Sequence, residues 1–375
     1  MQRATELKPV EAQPVGVGQW LASTIGSILI SLFVPIVTFV VLWQGFLFLR
    51  DSQAPKLIIV LVAILWGVGG VAMLYLVANW LIEKLPDNWV HWLQPFVFVG
   101  PAVAILAWYL ALPAIRTFWV SLHSANSSAF VGLQNYIAIF TDRTMLEAFR
   151  NNLLWMIFGT GFCVIFGLLI AVLADRSKFE TIAKAIIFMP MAISMVGAGI
   201  IWNFVYEVKG VNDPQIGLLN AIVVALGGQP QAWTSLIQPW NNFFLIFIMI
   251  WLQTGFAMVL FSAAIKGIPG EIMEAARVDG GNEFQIFFQI MIPYISGTII
   301  TVTTTVVIFA LKIFDIVWVM TGGQFGTHVI ATQFYRQYFT NRNFGFGSAI
   351  AIILLLAVVP VMIYNLKQFN EREAF

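Results

Sequence analysis

Eight apolar stretches, at about 24–48, 57–82, 93–115, 153–173, 185–206, 243–265, 295–320 and 347–366, leave this 375-residue chain little choice of fold. A helix of about 20 residues rises through the roughly 30 Å of hydrocarbon in a bilayer. Inside hydrocarbon only helices and closed barrels satisfy the backbone's own hydrogen bonds. Runs of this length predict an all-α integral membrane protein with about eight transmembrane helices. Composition agrees: 60% of residues are hydrophobic, 10% are charged and mean hydropathy is +0.87, whereas soluble domains carry about 25% charge. The first run begins too late and is too long for a cleavable signal peptide, so it is expected to stay as an anchor.

Several functions are excluded or disfavoured at once. Cys163 is the one cysteine and lies within an apolar run, so no intramolecular disulfide or cysteine metal pair can form. A net charge of +1, without a cationic patch interleaved with aromatics, gives no reason to expect nucleic acid. His91, His123 and His328 lack ligand-type spacing and are expected as isolated interfacial polar groups, so no metal site is expected. No nucleophile and base fall together within the spans, so no catalytic residue is expected. The chain contains no Gly-Lys dipeptide, which rules out a Walker A loop; any ATP hydrolysis belongs to a partner, and no cofactor is expected in this chain.

Residues 266–293 form a polar interruption between two membrane-length runs. Gly267 and Pro269 in Lys266-Gly267-Ile268-Pro269-Gly270 end one helix and preset the backbone for the next, expected from about Glu271 to Val278. Asp279, Gly280 and Gly281 tolerate the turn that follows. Asn282 with Gln285 three residues on predicts an N-cap and its reciprocal partner, opening a second helix that Pro293 ends or kinks. Its dense apolar residues suit a helix lying along the membrane face. Ala275 and Ala276 remove bulk where another surface can approach, and Glu274 offers it a charge.

The pattern Glu274-Ala275-Ala276, then Gly280, Ile290 and Pro293, resembles the signature loop of permease subunits in binding-protein-dependent ABC importers. Gly132-Leu133-Gln134-Asn135-Tyr136, Asn151-Asn152, Met189-Pro190, Ile201-Trp202 and Thr321-Gly322-Gly323 resemble the sugar-importing branch, and the likeness covers roughly residues 95 to 370. It implies a type I permease core of six helices plus two N-terminal helices. Residues 1–92 would form a cytoplasmic tail and two peripheral spans, and residues 93–375 the core with its coupling loop at 266–293. It further implies coupling to ABC ATPase subunits through Glu274, Ala275, Ala276, Asp279, Gly280 and Pro293. The other partners implied are a second permease, an extracytoplasmic solute-binding protein, membrane lipid and a carbohydrate of disaccharide or α-glucoside type. The chain would conduct and couple without changing a bond. Three cations in the short loop Asp175–Lys184 fall on the Glu274 side and mark it cytoplasmic, as the resemblance also places both termini.

Intramembrane polar groups are costly and mark candidate pathways. Lys312 and Asp315, three apart, are expected to share a helical face as an ion pair that either steadies the seventh helix or lines the pathway. Gln253 and Phe256 offer a planar polar group and an aromatic face within one turn, the combination that binds sugar hydroxyls and C–H surfaces, while helix packing is the competing reading. The resemblance adds Met191, Ser194 and Met195, after Pro190. Thr301, Thr303, Thr304 and Thr305 are expected to bond their own helix, and Gly159, Gly161, Gly167, Gly197 and Gly199 to mark close helix crossings. A secondary ion-coupled carrier using Lys312 and Asp315, and an ABC permease for a non-sugar solute, are the alternatives.

Overall fold

The computed structural model describes residues 17–210 and 212–373, with side chains from 29 to 367 except 211. Most of the expected N-terminal tail lies outside the described residues. Two compact units divide the chain, 1–112 and 113–375.

In the first unit, α1 (Val17–Asp51) and α2 (Lys56–Ile82) precede α3, which runs Asp87–Ser121 and carries the division between the units. Pro55 and Pro86 stand immediately before α2 and α3, where a missing N–H leaves no helical bond unmade. Polar ties join these helices. Trp66 Nε1 donates to Leu42 O at 2.9 Å, and Gln94 donates to Asn79 at 3.0 Å while Asn79 donates to Glu83 at 2.8 Å. The long apolar side chains of α2 are largely exposed, as hydrocarbon-facing helices require.

In the second unit, α4 runs Arg143–Asp175, opened by Asp142, whose carboxylate accepts from Thr144 N and Met145 N. It packs on α7 (Trp240–Lys266), and Trp155, Cys163, Met249, Met258 and Phe261 are buried around them. A Cβ on Gly167 would stand 2.5 Å from Ala257 Cβ and 3.1 Å from Met258 N, so this crossing requires glycine. Gly159 and Gly199 likewise face Met249 and Val319, whereas Gly161 faces open space and Gly197 meets its own turn.

Two of the eight apolar runs are not single helices. The run at 185–206 is α5 (Glu180–Ala192) and α6 (Met195–Val205), bent by 102°. Pro190 sits in the closing 3-10 turn, and Ser194 caps α6 by accepting from Gly197 N at 3.0 Å. After α8 (Gly270–Val278), α9 (Glu283–Tyr294) meets α10 (Ser296–Leu311) at 70°, and α10 stops short of the expected residue 320. Lys312–Phe314 are not helical, and α11 (Asp315–Thr321), α12 (Ile330–Tyr335) and α13 (Phe344–Glu373) complete the chain. Among the described residues, six helices are long and apolar enough to cross a membrane, or up to eight when each bent pair counts as one span. Thr301, Thr304 and Thr305 return their hydroxyls to α10 carbonyls, as expected.

The loop after α11 overturns one expectation. Gly322, Gly323, Phe325 and Gly326 all have positive φ, folding the loop back so that His328 is buried rather than interfacial. A Cβ on Gly323 would fall 2.0 Å from His328 Nδ1. Arg336 Nη1 approaches His328 Nε2 at 3.2 Å; arginine has only donors, so Nε2 accepts and Nδ1 carries the proton toward Thr332 Oγ1 at 3.1 Å. This loop lies outside the candidate spans. Burial first, and then the Arg336 charge, push the imidazole down to about 4.

Two stability outcomes follow from these contacts. Gly167→Leu is expected to cost about 1–3 kcal/mol through overpacking, seen as a lower unfolding temperature in detergent. His328 binds a proton near pH 6.5 when unfolded but only near 4 when folded, so its contribution is complete above pH 6.5. It is lost as pH falls toward 4, by at most about 1.4 kcal/mol per pH unit. Melting temperatures from pH 7 to 4 are expected to fall less steeply for His328→Gln than for the wild type.

Candidate functional site

The α5–α6 break and the end of α10 frame one cavity. α7 passes so close to the first break that a Cβ on Gly255 would stand 2.6 Å from Ile187 O and 2.8 Å from Phe188 Cα. Gln253 and Phe256 flank that contact and face the cavity together with Met191 and Met195 from the bent pair. Thr305, Phe309, Lys312, Ile313 and Asp315 supply the opposite wall. The cavity measures about 430 Å³, the scale of a small-ligand site. Six of the seven pathway residues named from sequence line it. Ser194 does not, because its hydroxyl is used as the α6 cap.

Lys312 and Asp315 do not pair. Among the described residues no salt bridge joins them, because the helix ends between them. Lys312 stands at the C-terminal end of α10 and Asp315 in the first turn of α11, so each charge meets a helix end of opposite partial charge. Both remain available to a ligand in the cavity.

Ile308 and Phe309 were not named from sequence, and Thr305 was expected only to bond its own helix. Thr305, Ile308 and Phe309 stand seven, four and three residues before Lys312, the same face of one helix, so the Lys312 position and a 3.6-residue period would have identified them.

The polar hairpin forms as its sequence dictates. Pro269 precedes α8, Gly280 turns at φ +85°, and Asn282 and Gln285 complete a reciprocal capping box with both bonds at 2.9 Å. Glu283 then holds the hairpin closed. It accepts from Arg277 at 3.1 Å and from Arg176, at the end of α4, at 2.5 Å. Nearby, Lys184 reaches Asp175, Glu180 at 2.6 Å and Ser262, and Glu180 also meets Lys266. Glu274 has no salt bridge among the described residues and is exposed with Ala275, while Val278 and Phe284 are 87% and 77% exposed. Ala276, Asp279 and Gly280 line a shallow polar hollow beside them, and Pro293 lies within the α9 end next to the 70° bend.

Comparison with known proteins agrees with this architecture. Residues 163–372 match the family described as the binding-protein-dependent transport system inner membrane component. The osmoprotective compounds uptake permease protein of Synechocystis is 55% identical over 277 residues, 74% of this chain and 99% of that one. The alpha-glucoside transport system permease protein of Rhizobium meliloti is 50% identical over 276 residues, 73% of this chain and 82% of that one. In fold, the chain resembles a bacterial ABC transporter involved in import of the acidic polysaccharide alginate, with TM-score 0.64 at 21% identity over 74% of this chain and 96% of that one. With its apolar spans and its signature hairpin, the chain belongs to the binding-protein-dependent transport family as a multi-pass, inner-membrane permease subunit of an ABC importer.

Proposed function

We propose that this permease conducts a neutral carbohydrate of disaccharide or α-glucoside type through the cavity at the helix breaks. The observation that carries the reading is the lining itself. Gln253 supplies an amide, Phe256 an aromatic face, and Lys312 and Asp315 two ions of opposite sign that are unpaired with each other, all among apolar walls. Sugar hydroxyls accept from the ammonium and donate to the carboxylate, while the ring's C–H face packs on phenylalanine. The net charge of the lining, with one Lys and one Asp, favours a neutral or zwitterionic solute over an ion. A relative named for alpha-glucoside transport supports the sugar. The relative named for osmoprotective compounds gives weight to a second reading, a non-sugar compatible solute.

In this reading the hairpin at 266–293 docks on an ABC ATPase subunit through Glu274, Ala275, Ala276, Asp279 and Gly280, with Pro293 setting the angle at which α9 leaves it. The chain carries no cofactor of its own and catalyses no bond change; ATP acts on the partner. A second permease completes the pathway and an extracytoplasmic solute-binding protein delivers the solute. Both termini are cytoplasmic, residues 1–92 brace the periphery amid lipid, and residues 93–375 form the core.

Uptake by the importer reconstituted with its neighbouring subunits tests both parts. Trehalose, maltose and sucrose are expected to compete for uptake and glycine betaine not; the reverse order favours the second reading. Lys312→Gln and Asp315→Asn are each expected to raise the KM about tenfold or more, the worth of a hydrogen bond to a charged group. Glu274→Lys reverses the docking charge and is expected to abolish ATP-driven uptake while membrane insertion is retained. Normal uptake by that variant removes the docking assignment.

A further inference from the structure

We propose that Asn152 is a positioning residue for the solute cavity. It holds open the end of α10 and thereby fixes where Lys312 and Asp315 stand. The inference rests on the cavity reading above and adds to it a residue that touches no solute.

The argument begins with backbone accounting. A helix that stops within an apolar surround leaves carbonyls in its last turn without intrahelical partners, and each costs free energy unless something donates to it. α10 stops at Leu311. Asn152, only 2% exposed on α4, donates Nδ2 to Ala310 O at 3.3 Å and to Leu311 O at 3.2 Å. Its Oδ1 accepts from Ile330 N at 2.7 Å, at the start of α12. One side chain therefore satisfies groups on both sides of residues 312–329. Its neighbour Asn151, fully buried, donates to Gly326 O at 2.7 Å and His328 O at 2.8 Å, fastening the loop inside that segment.

The residues between these anchors include both cavity ions. Lys312 follows directly after the two carbonyls that Asn152 holds, and Asp315 comes three residues later. α4 also widens into a π turn at Trp155–Gly159 immediately beyond Asn152, a local irregularity often found at functional sites. An apolar residue at 152 would leave Leu311 O without its Asn152 donor and Ala310 O with only the 3.4 Å bond from Ile313 N. Further helical winding would then be the cheapest way to satisfy those carbonyls, and it would rotate Lys312 and Asp315 away from their present places.

The test uses the full importer in proteoliposomes, with Asn152→Leu, of similar size but without donor or acceptor, and Asn152→Gln, which keeps the amide. With radiolabelled trehalose as probe, Asn152→Leu is expected to raise the KM about tenfold with kcat within about twofold, and Asn152→Gln to recover most of the loss. In a Lys312→Gln/Asp315→Asn background, Asn152→Leu is expected to add less than about twofold, because both ions it positions are gone. A tenfold rise in that background too, or a loss of kcat at unchanged KM, overturns the proposal.

A second readout needs only membrane insertion. With Cys163→Ala, single cysteines at Lys312→Cys and Thr305→Cys are labelled by a hydrophilic maleimide. Asn152→Leu is expected to change the rate severalfold at position 312 and leave it unchanged at position 305, on the intact helix of the same cavity. Equal rates at 312, or equal changes at both positions, overturn the proposal whatever transport does. If Asn152→Leu does not accumulate, Asn152→Ser, which shortens the donor out of reach, is read in the same way. Lys312→Gln with an unchanged KM overturns the cavity reading alone and leaves the labelling to decide the positioning.

Discussion

Hydrocarbon offers a polypeptide no hydrogen bonds, and the architecture around the cavity follows from that constraint. Continuous helices satisfy it largely within themselves, as the six candidate spans among the described residues do. A solute pathway needs polar groups at mid-membrane depth, which favours backbone that departs from the helix, and each departure needs a dedicated partner. At the α5–α6 break the partner is the Ser194 hydroxyl. At the end of α10 it is the Asn152 amide, and in the loop beyond, the Asn151 amide. These two breaks thus come with a short polar side chain whose role is local satisfaction and whose consequence is a cavity wall, whereas the α9–α10 bend has no side-chain cap.

The charges obey the same economy of place. Lys312, exposed, and Asp315, half-buried, sit at helix ends, where peptide dipoles favour their charges. Five of the eight ion pairs among the described residues lie around the hairpin. Arg277, Glu283 and Arg176 bind it to the end of α4, and Asp175, Lys184, Glu180 and Lys266 bind the start of α5 to the end of α7. Individually the exposed pairs among them are worth little. Their value lies in geometry, because together they hold α8 and α9 in one orientation and leave Glu274 exposed for docking.

Much of this was legible in the sequence. The spans followed from run length, and the hairpin from Pro269, Gly280 and the Asn282–Gln285 box, because those signals act within a few residues. The breaks were less legible. A run such as 295–320 reads as continuous by hydropathy, and the residue that ends its helix, Asn152, lies 158 positions away from its acceptor Ala310. The supposed Lys312–Asp315 pair failed for the same reason: spacing of three implies a shared face only while the helix continues. His328 was misplaced because its burial depends on a loop of four left-handed residues, of which Phe325 carries no sequence signal for positive φ.

The segment from Glu283 to Asp315 joins the two functional regions and limits how they can communicate. It begins in the hairpin, turns 70° between Tyr294 and Ser296, runs as α10 and ends at the cavity ions. α10 is stiffened by the Thr301 and Thr305 hydroxyls bonding to its own carbonyls, while Thr304 Oγ1, 2.8 Å from Ile300 O and 2.7 Å from Asn365 Oδ1 on α13, can donate to one of the two at a time. A displacement of the docked hairpin therefore has two outlets. It is absorbed at the bend, or it moves α10 as a body and carries Lys312 with it. The Asn152 amide decides what happens at the far end of the second route, since it grips the two carbonyls that a moving α10 would take with it. A pathway opened by rigid helices needs a joint there that can slip, and two hydrogen bonds longer than 3.1 Å from one side chain are easier to exchange than a continuous helical ladder.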